Sequence, residues 1–256
     1  ADLARVLSGA QEFAELPVRH NEDRLNADLA QAVPWEADAY ALDSPHTKTF
    51  LLLQAHFVGA ELPIADYVND TKSVLDQALR VLNGLVDIAA DEGLLAAAVG
   101  LMRLSQMVGR GGWTPTTTLG QLPTRPRAPG RCVSRWRGGE EAARAGRRGF
   151  APEAPARVAA DGDCELVVSL RLVSGDLRKA HAPKFHKPKG HGWWLALGSA
   201  EGELLALKRV TALGGGPQRL AFLAPEEPGR HALTLRLVAD AVMGMDREVR
   251  VYLDVV

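Results

Sequence analysis

The spacing of apolar residues changes once along this chain. Residues 72–90 place apolar side chains on one half of a helical wheel and polar side chains on the other. Residues 229–238 and 247–255 instead alternate apolar and polar side chains, which is typical of strands with one buried face. Because one period cannot serve both kinds of element, the chain is predicted to contain a helical part and a β part.

The helical part is predicted to be an orthogonal bundle over residues 1–113. Residues 43–45 read Asp-Ser-Pro, which indicates a helix start, because a capping side chain precedes a proline at the first helical position. Residues 69–71 are predicted to cap the longest helix, over 72–90. A further helix is expected over 94–108, before a glycine-rich stop.

The β part is predicted over residues 161–256, where short strands are separated by turn signals at roughly ten-residue spacing. This pattern favours an immunoglobulin-like, fibronectin type III-like β-sandwich. Trp193 and Trp194 are expected to direct one ring into the sandwich and the other outward. The predicted fold class is therefore α+β multidomain, with an N-terminal helical bundle followed by a C-terminal β-sandwich.

The segment between these parts, residues 114–160, has no apolar period and is rich in proline, glycine and arginine. It contains nine arginines and three acidic residues. A solvated, flexible linker explains this composition. An arginine-rich tether for nucleic acid is the alternative, since clustered arginines contact phosphates without needing a fold.

Composition excludes several classes of protein. A hydrophobic share of 46% excludes disorder over most of the chain, and the net charge of -1 disfavours electrostatic coating of nucleic acid, although a local basic face stays possible. No apolar run approaches the ~20 residues of a membrane-spanning helix, and no secretory signal is visible. Two cysteines, Cys132 and Cys164, are too few for a disulfide scaffold, which favours a reducing compartment. The start at Ala1 suggests a fragment or a processed product.

No catalytic or metal-binding motif is found in the sequence. The phosphate-binding loop, the H-E-x-x-H motif and the G-x-S-x-G elbow are all missing. Residues 20–23 place a histidine beside two acids, but neighbouring helix positions point in different directions, which disfavours a shared metal ion. His181, His186 and His191 are better explained by a solvated basic hairpin. A hydrolase that uses residues 20–23 is the weakest of the functional hypotheses.

Several runs of residues resemble one family in the same order along the chain. They are residues 16–23, 43–48, 51–56 and 70–81 in the helical part, and 183–185, 192–194, 207–210, 224–229 and 244–246 in the β part. Together they resemble the Brl domain, likened to a translocon subunit, that follows the motor in large Ski-like helicases. The resemblance covers about residues 1–113 and 161–256.

This resemblance implies a non-catalytic accessory C-terminal domain of an ATP-dependent helicase, which braces the motor and guides single-stranded nucleic acid. It implies a helix-loop-helix domain where residues 114–160 stand, so that segment is either a linker or a vestige. The implied partners are the motor domains of the same polypeptide, single-stranded RNA or DNA, and other subunits of a cointegrator-type complex, without a membrane. ATP and magnesium belong to the parent motor, and the fragment itself is expected to need no cofactor. The implied location is nuclear and cytoplasmic, with roles in DNA repair and ribosome quality control.

Two sets of candidate binding residues follow. In this family the long helix of the bundle is a ratchet helix that touches the passing strand, and here it corresponds to residues 72–90. Lys72, Arg80 and Asn83 on its polar stripe are the candidate nucleic-acid contacts. The simpler interpretation is a solvated helix face on which Asp76 bridges Lys72 and Arg80.

The alternative function is a protein-interaction scaffold of the helicase complex without direct nucleic-acid contact. In that hypothesis the edge and loops of the sandwich recruit partners. Trp194, Lys187 and Lys189 are the candidate partner-binding residues.

Overall fold

The computed structural model describes residues 1–113, 132–137, 156–170, 180, 182, 184–211, 216–241 and 243–256. The predicted linker or vestigial helix-loop-helix segment therefore lies outside the described residues, except for two short stretches. His181 of the predicted basic hairpin also lies outside them.

The first part of the chain is helical, as predicted. Its elements are α1 (Asp2–Ser8), a 3₁₀ turn (Gln11–Phe13), α2 (Glu22–Ala32), α3 (Pro45–Val58), α4 (Ala65–Asp91) and α5 (Leu95–Arg110). The predicted start of α3 is confirmed, because the Ser44 side chain accepts a hydrogen bond from the His46 backbone N–H at 3.3 Å. Gly93, at φ +68°, separates α4 from α5, where the sequence predicts a break.

The longest helix, α4, begins earlier than the sequence predicts. It starts at Ala65 and has no side-chain cap, so the expectation that residues 69–71 cap a helix beginning at residue 72 is wrong. Thr71 lies inside the helix, where its hydroxyl donates to the Tyr67 carbonyl at 2.7 Å. A polar side chain that resembles a cap in sequence is here satisfied within the helix.

The bundle is built around α3, which is buried on nearly every side. An amphipathic helix buries one stripe, whereas a helix surrounded by others is apolar all round. The apolar stripe of α4 packs into the same core, but Ile88, predicted to lie in its buried half, is exposed in the last turn. The core residues that these two helices contribute include Phe50, Leu51, Leu52, Leu53, Val74, Leu75, Ala78, Leu82 and Val86.

The second part of the chain is formed by strands. They are β1 (Cys132–Arg137), β2 (Ala156–Val158), β3 (Asp163–Leu170), β4 (Trp193–Gly198), β5 (Leu204–Val210), β6 (Pro217–Leu223), β7 (Gly229–Ala239) and β8 (Arg247–Val255). The last six agree with the predicted strands. The first two fall in the segment in which no strand was expected, because sequence alternation is weak there and pairing with β3 and β8 supplies their order.

The strands form two sheets, in the orders β1-β3-β6 and β2-β8-β7-β4-β5. Pairing is antiparallel throughout the described strands except between β2 and β8, which run parallel. Apolar side chains from β3 and β6 share one core with those of β4, β7 and β8. The β part therefore has two sheets around a common core, while its immunoglobulin-like type stays a prediction.

The two adjacent tryptophans face different cores. Trp193 packs between the sheets. Trp194 points to the opposite face, as alternation predicts, but only 2% of its surface is exposed because the helical bundle covers it. Gly198 lies at the same contact, where a Cβ atom would clash with the Leu95 side chain. The five-stranded sheet therefore lies between its partner sheet and the bundle.

Polar contacts join α5 to the end of β7. The Gln106 amide donates to the Ala239 carbonyl at 2.8 Å and to Asp246 Oδ1 at 2.9 Å. The Ser105 hydroxyl donates to the Asp240 carbonyl at 3.3 Å. Because these groups are buried or half-buried, the bonds satisfy atoms that docking removes from water.

Candidate nucleic-acid interface

A buried lysine anchors α4 to the rest of the bundle. Lys48, on α3, is fully buried, and its ammonium group donates to Glu22 Oε2 at 2.6 Å and to Asp70 Oδ2 at 2.7 Å. The same group donates to the Pro17 carbonyl at 2.7 Å. A buried ammonium needs such partners, because desolvation of an unpaired charge is very costly.

Arg19 completes this network from the solvent side. Its guanidinium donates to Glu22 Oε1 at 2.9 Å and to Asp70 Oδ2 at 2.7 Å. Tyr67 lies beneath, with its ring centroid 4.6 Å from the Lys48 ammonium. We call Arg19, Glu22, Lys48, Tyr67 and Asp70 the ion network. It brings together the runs 16–23, 43–48 and 70–81, and it fixes the first turns of α4 against α2 and α3.

The network lowers the pKa of both carboxyl groups. Burial alone would raise the pKa of Glu22 and Asp70, but hydrogen bonds from Lys48 and Arg19 outweigh it. The pKa of the Tyr67 hydroxyl is raised, first by burial and then by the nearby carboxylates. Both acids are therefore ionised in the folded protein at neutral pH.

These lowered pKa values predict an acid-sensitive bundle. Each depressed folded-state pKa contributes stability that is present above the unfolded pKa of about 4 and is lost as pH falls through the folded pKa. The free energy of unfolding should therefore decrease between about pH 5 and pH 2. In urea titrations across this range, Asp70→Asn should show a shallower pH dependence than the wild type. Asp23→Asn, an exposed carboxylate of α2, is the matched control, and equal slopes for wild type and Asp70→Asn would contradict the prediction.

The candidate ratchet residues lie on the outer face of α4, which we call the α4 stripe (Lys72, Asp76, Arg80, Asn83 and Asp87). Lys72 and Arg80 are both exposed and lie about 12 Å apart along the helix axis. Lys72 makes a 3.3 Å hydrogen bond with Asn69 Oδ1, and Arg80 makes no ion pair with any residue the structure describes. Asn83 is half-buried.

Asp76 does not bridge these two cations along the helix, so the simpler interpretation of the stripe is wrong on this point. It pairs instead with the β part, accepting a hydrogen bond from Lys187 and lying 3.1 Å from His186 Nε2. Burial would raise the pKa of Asp76, but the hydrogen bonds from Lys187 and His186 lower it.

The second acid of the stripe is also paired with the β part. Arg209, on β5, contacts both carboxylate oxygens of Asp87 at 2.9 Å and donates to the Asn83 carbonyl at 2.7 Å. Lys187 and Arg209 stay 60% and 43% exposed at their side chains. The α4 stripe and these two cations therefore form one surface with a surplus of positive charge.

The three candidate partner-binding residues are used inside the chain. Trp194 is buried against the bundle, which contradicts the expectation of an exposed ring. Lys187 pairs with Asp76, and Lys189 contacts Asp240 at 3.0 Å. These contacts dock the two parts of the chain, but the Lys187 side chain stays 60% exposed, so partner binding by these residues stays a prediction.

Sequence reasoning missed functional residues whose partners lie far away along the chain. The sequence does contain a signal for Lys48. This lysine lies just before the apolar run that starts at Phe50, in a helix that is otherwise buried, so it needs a charged partner. Arg209 could not have been found in this way. Its partners on α4 are more than 100 positions away, and nothing local distinguishes it from Lys208.

The described structure does not bring the side chains of residues 20–23 together around a metal ion. His20 and Asp23 are exposed, whereas Glu22 belongs to the ion network. Within the described ranges no three His, Cys, Asp or Glu side chains are placed to hold a metal ion. The described helices also include none long and apolar enough to cross a membrane.

Comparison with known proteins decides the family. The sequence model of the Sec63 Brl domain family matches residues 1–252. The chain belongs to this family. The resemblance drawn from the ordered runs of residues is therefore confirmed.

Relatives of this Brl domain are parts of much longer proteins. Activating signal cointegrator 1 complex subunit 3 of Homo sapiens is 32% identical over 336 residues, covering 99% of this chain and 15% of that protein. DExH-box ATP-dependent RNA helicase DExH14 of Arabidopsis thaliana is 35% identical, covering 95% of the chain and 13% of the relative. The U5 small nuclear ribonucleoprotein 200 kDa helicase of Homo sapiens is 30% identical, covering 99% of the chain and 13% of that protein.

These comparisons relate the Brl domain to a small section of longer proteins, two of which are named as helicases. The chain spans about a seventh of the length of the curated relatives it matches. The alignment with the human cointegrator subunit runs over 336 positions, whereas the chain has 256 residues. The relative therefore contains residues in the matched region that this chain lacks.

Proposed function

We propose that this Brl domain is a non-catalytic accessory domain of an ATP-dependent nucleic-acid helicase, where it braces the motor and guides single-stranded nucleic acid along α4. Its relatives include two proteins that are named as helicases, which supports the general class. ATP and magnesium would bind the motor of the parent protein. The α4 stripe would supply the strand contacts.

The electrostatics of the α4 stripe carry this proposal. An unpaired Asp76 or Asp87 would repel a phosphate backbone that follows the exposed Lys72 and Arg80. Cations of the β part pair with both acids and remain partly exposed themselves. The resulting surface combines four cations with two neutralised acids, a suitable track for phosphates.

The rigidity of α4 supports the same function. A helix of 27 residues, about 40 Å long, can span several nucleotides of an extended strand. The ion network fixes its N-terminal half, and the contacts of Arg209 hold its C-terminal half against β5. Binding groups on such a fixed element keep their spacing, which lowers the entropic cost of binding.

The proposal extends to the partners and the location of the parent protein. The motor domains of the same polypeptide would be the main partner. Other subunits of a cointegrator-type complex would be further partners, because one relative is named as a subunit of such a complex. The immunoglobulin-like type of the β part and a nuclear and cytoplasmic location belong to the same proposal.

The test measures strand binding by this Brl domain. Fluorescence anisotropy with labelled single-stranded RNA and DNA, over a salt series, compares the wild type with Lys72→Ala/Arg80→Ala. We expect the double variant to bind about tenfold more weakly, and the salt slope to fall by about 1.4 because two phosphate contacts are lost.

The matched control is Arg24→Gln/Arg219→Gln, which removes two exposed cations that lie on α2 and β6 and do not belong to the α4 stripe. This control should retain the wild-type salt slope. Equal binding by wild type and Lys72→Ala/Arg80→Ala would overturn the α4 contact. No binding by the wild type at low salt would favour the scaffold alternative, in which the domain recruits proteins only.

A further inference from the structure

The outer face of the five-stranded sheet is only half covered by the bundle. On β4 and at the end of β7, Trp194, Ala196 and Val238 pack against the helices. Farther along β7 the same face is partly exposed, and on β8 and β2 it is exposed at Glu248, Arg250, Tyr252 and Arg157. Its residues alternate with the core residues Leu233, Leu235, Leu237, Val251 and Leu253, which point inward between the sheets.

Arginines dominate this open region. The outward positions of β7 and β8 include Arg230, Arg236 and Arg250, and Arg157 on β2 lies beside Asp254 in the strand register. The acids on the same face are Glu248 and Asp254. The open half therefore has a charge surplus of about two, on a chain whose net charge is -1.

Part of that positive charge has no acid paired with it. Arg236 lies 3.2 Å from Glu248 Oε2, so this pair is locally neutral. Arg250 is exposed and makes no ion pair with a residue in the described part of the chain. It lies opposite Thr234 in the register, between Glu248 and Tyr252 on β8.

An exposed aromatic ring lies in the middle of these arginines. Tyr252 is 40% exposed, opposite the small Ala232, which leaves space above the sheet on that side. The Arg230 guanidinium lies 4.8 Å from the centre of its ring. This contact places the Arg230 guanidinium beside the ring, and Arg230 makes no ion pair with a residue that the structure describes.

We propose that the residues Arg157, Arg230, Arg250 and Tyr252, which we call the sheet platform, bind single-stranded nucleic acid at a second site distinct from the α4 stripe. A single strand offers both phosphates for arginines and unstacked bases for an aromatic ring. Same-face residues recur about every 6.8 Å along a strand, and neighbouring strands lie about 4.8 Å apart. The platform thus presents guanidinium groups on both sides of one stacking ring.

An acidic protein segment is the other ligand that positive charge could attract. Such a segment would use the arginines but would gain little from the apolar face of the Tyr252 ring. The central position of this ring within the arginines therefore favours a nucleic acid. The site is independent of the proposed function, since it shares no residue with the α4 stripe.

The test measures separately how much the Tyr252 ring and the arginines contribute to strand binding. Anisotropy with labelled single-stranded RNA and DNA compares wild type, Tyr252→Ala, Arg230→Gln/Arg250→Gln and the control Arg24→Gln/Arg219→Gln. Tyr252→Ala should bind about tenfold more weakly. The arginine pair should also lower the salt slope by about 1.4, whereas the control pair should not. Thermal unfolding of each variant verifies that these surface substitutions leave the fold intact.

A second measurement locates the strand directly. Ultraviolet cross-linking of 4-thiouridine RNA, followed by peptide mapping, should label the β8 peptide that contains Tyr252. Label confined to other peptides would overturn the sheet platform, as would Tyr252→Ala binding like the wild type. Wild-type binding of poly-glutamate that is as tight as strand binding, and insensitive to Tyr252→Ala, would also overturn it by assigning the arginines to an acidic segment.

The same measurements distinguish the two strand sites. Loss of binding in Lys72→Ala/Arg80→Ala alone, with all sheet variants unaffected, would overturn the sheet platform and leave the α4 contact standing. Loss in the sheet variants alone would support the platform and count against the α4 stripe. Partial losses in both sets, additive in free energy, would support two independent contacts.

Discussion

Lys48→Met should lower the free energy of unfolding of the Brl domain by about 3–5 kcal/mol. The substitution keeps an unbranched apolar stem but removes the ammonium group that Glu22 and Asp70 share. Both carboxylates would then stay buried beside Arg19 alone, which reaches them from the exposed side. Urea unfolding at pH 7, followed by circular dichroism at 222 nm, measures this loss through the helices.

Two companion variants make the Lys48 experiment specific. Lys72→Met removes an exposed lysine of α4 and should change the free energy of unfolding by less than about 0.5 kcal/mol. Lys48→Met/Glu22→Gln/Asp70→Asn removes the buried charges together and should recover part of the loss, since a neutral core avoids unpaired ions. A Lys48→Met protein as stable as the wild type would show that the ion network does not hold α4 in place.

The main elements could be predicted because they are locally encoded. Residues 43–45 cap α3 by themselves, and the alternation in β7 and β8 fixes which side chains enter the sheet core. The start of α4 could not be predicted in the same way. Asp70 resembles a cap in sequence, but Lys48 and Arg19 bind its carboxylate from other elements, so the helix continues through it.

The candidate strand contacts show the same division. The helical wheel places Lys72 and Arg80 on the exposed face of α4, and the structure agrees. The helical wheel cannot show that Asp76 and Asp87 are paired with cations, because those cations lie on the β part and come close only when the two parts dock. Trp194 is the converse case, since alternation gives its direction correctly but only the docked bundle shows that this outward face is buried.

The docking of the two parts should depend strongly on Trp194. Trp194→Ala removes a ring that is 2% exposed at the contact between β4 and the bundle, which we expect to cost about 3–5 kcal/mol. The helical signal at 222 nm and the amide NMR signals of the β strands should report one urea transition in the wild type. In Trp194→Ala they should separate, because the β part no longer gains stability from the bundle.

Trp194→Phe is the matched control for this loss. The indole N–H of Trp194 is buried and has no hydrogen-bond partner among the described residues, so a phenyl ring gives up packing area but no polar contact. It should therefore cost much less than Trp194→Ala. Coincident transitions and an unchanged midpoint in Trp194→Ala would contradict the role of this ring.

Separation of the parts would also deprive Asp76 and Asp87 of their cations, so Trp194→Ala should weaken strand binding at the α4 stripe although its own side chain lies inside the docked interface.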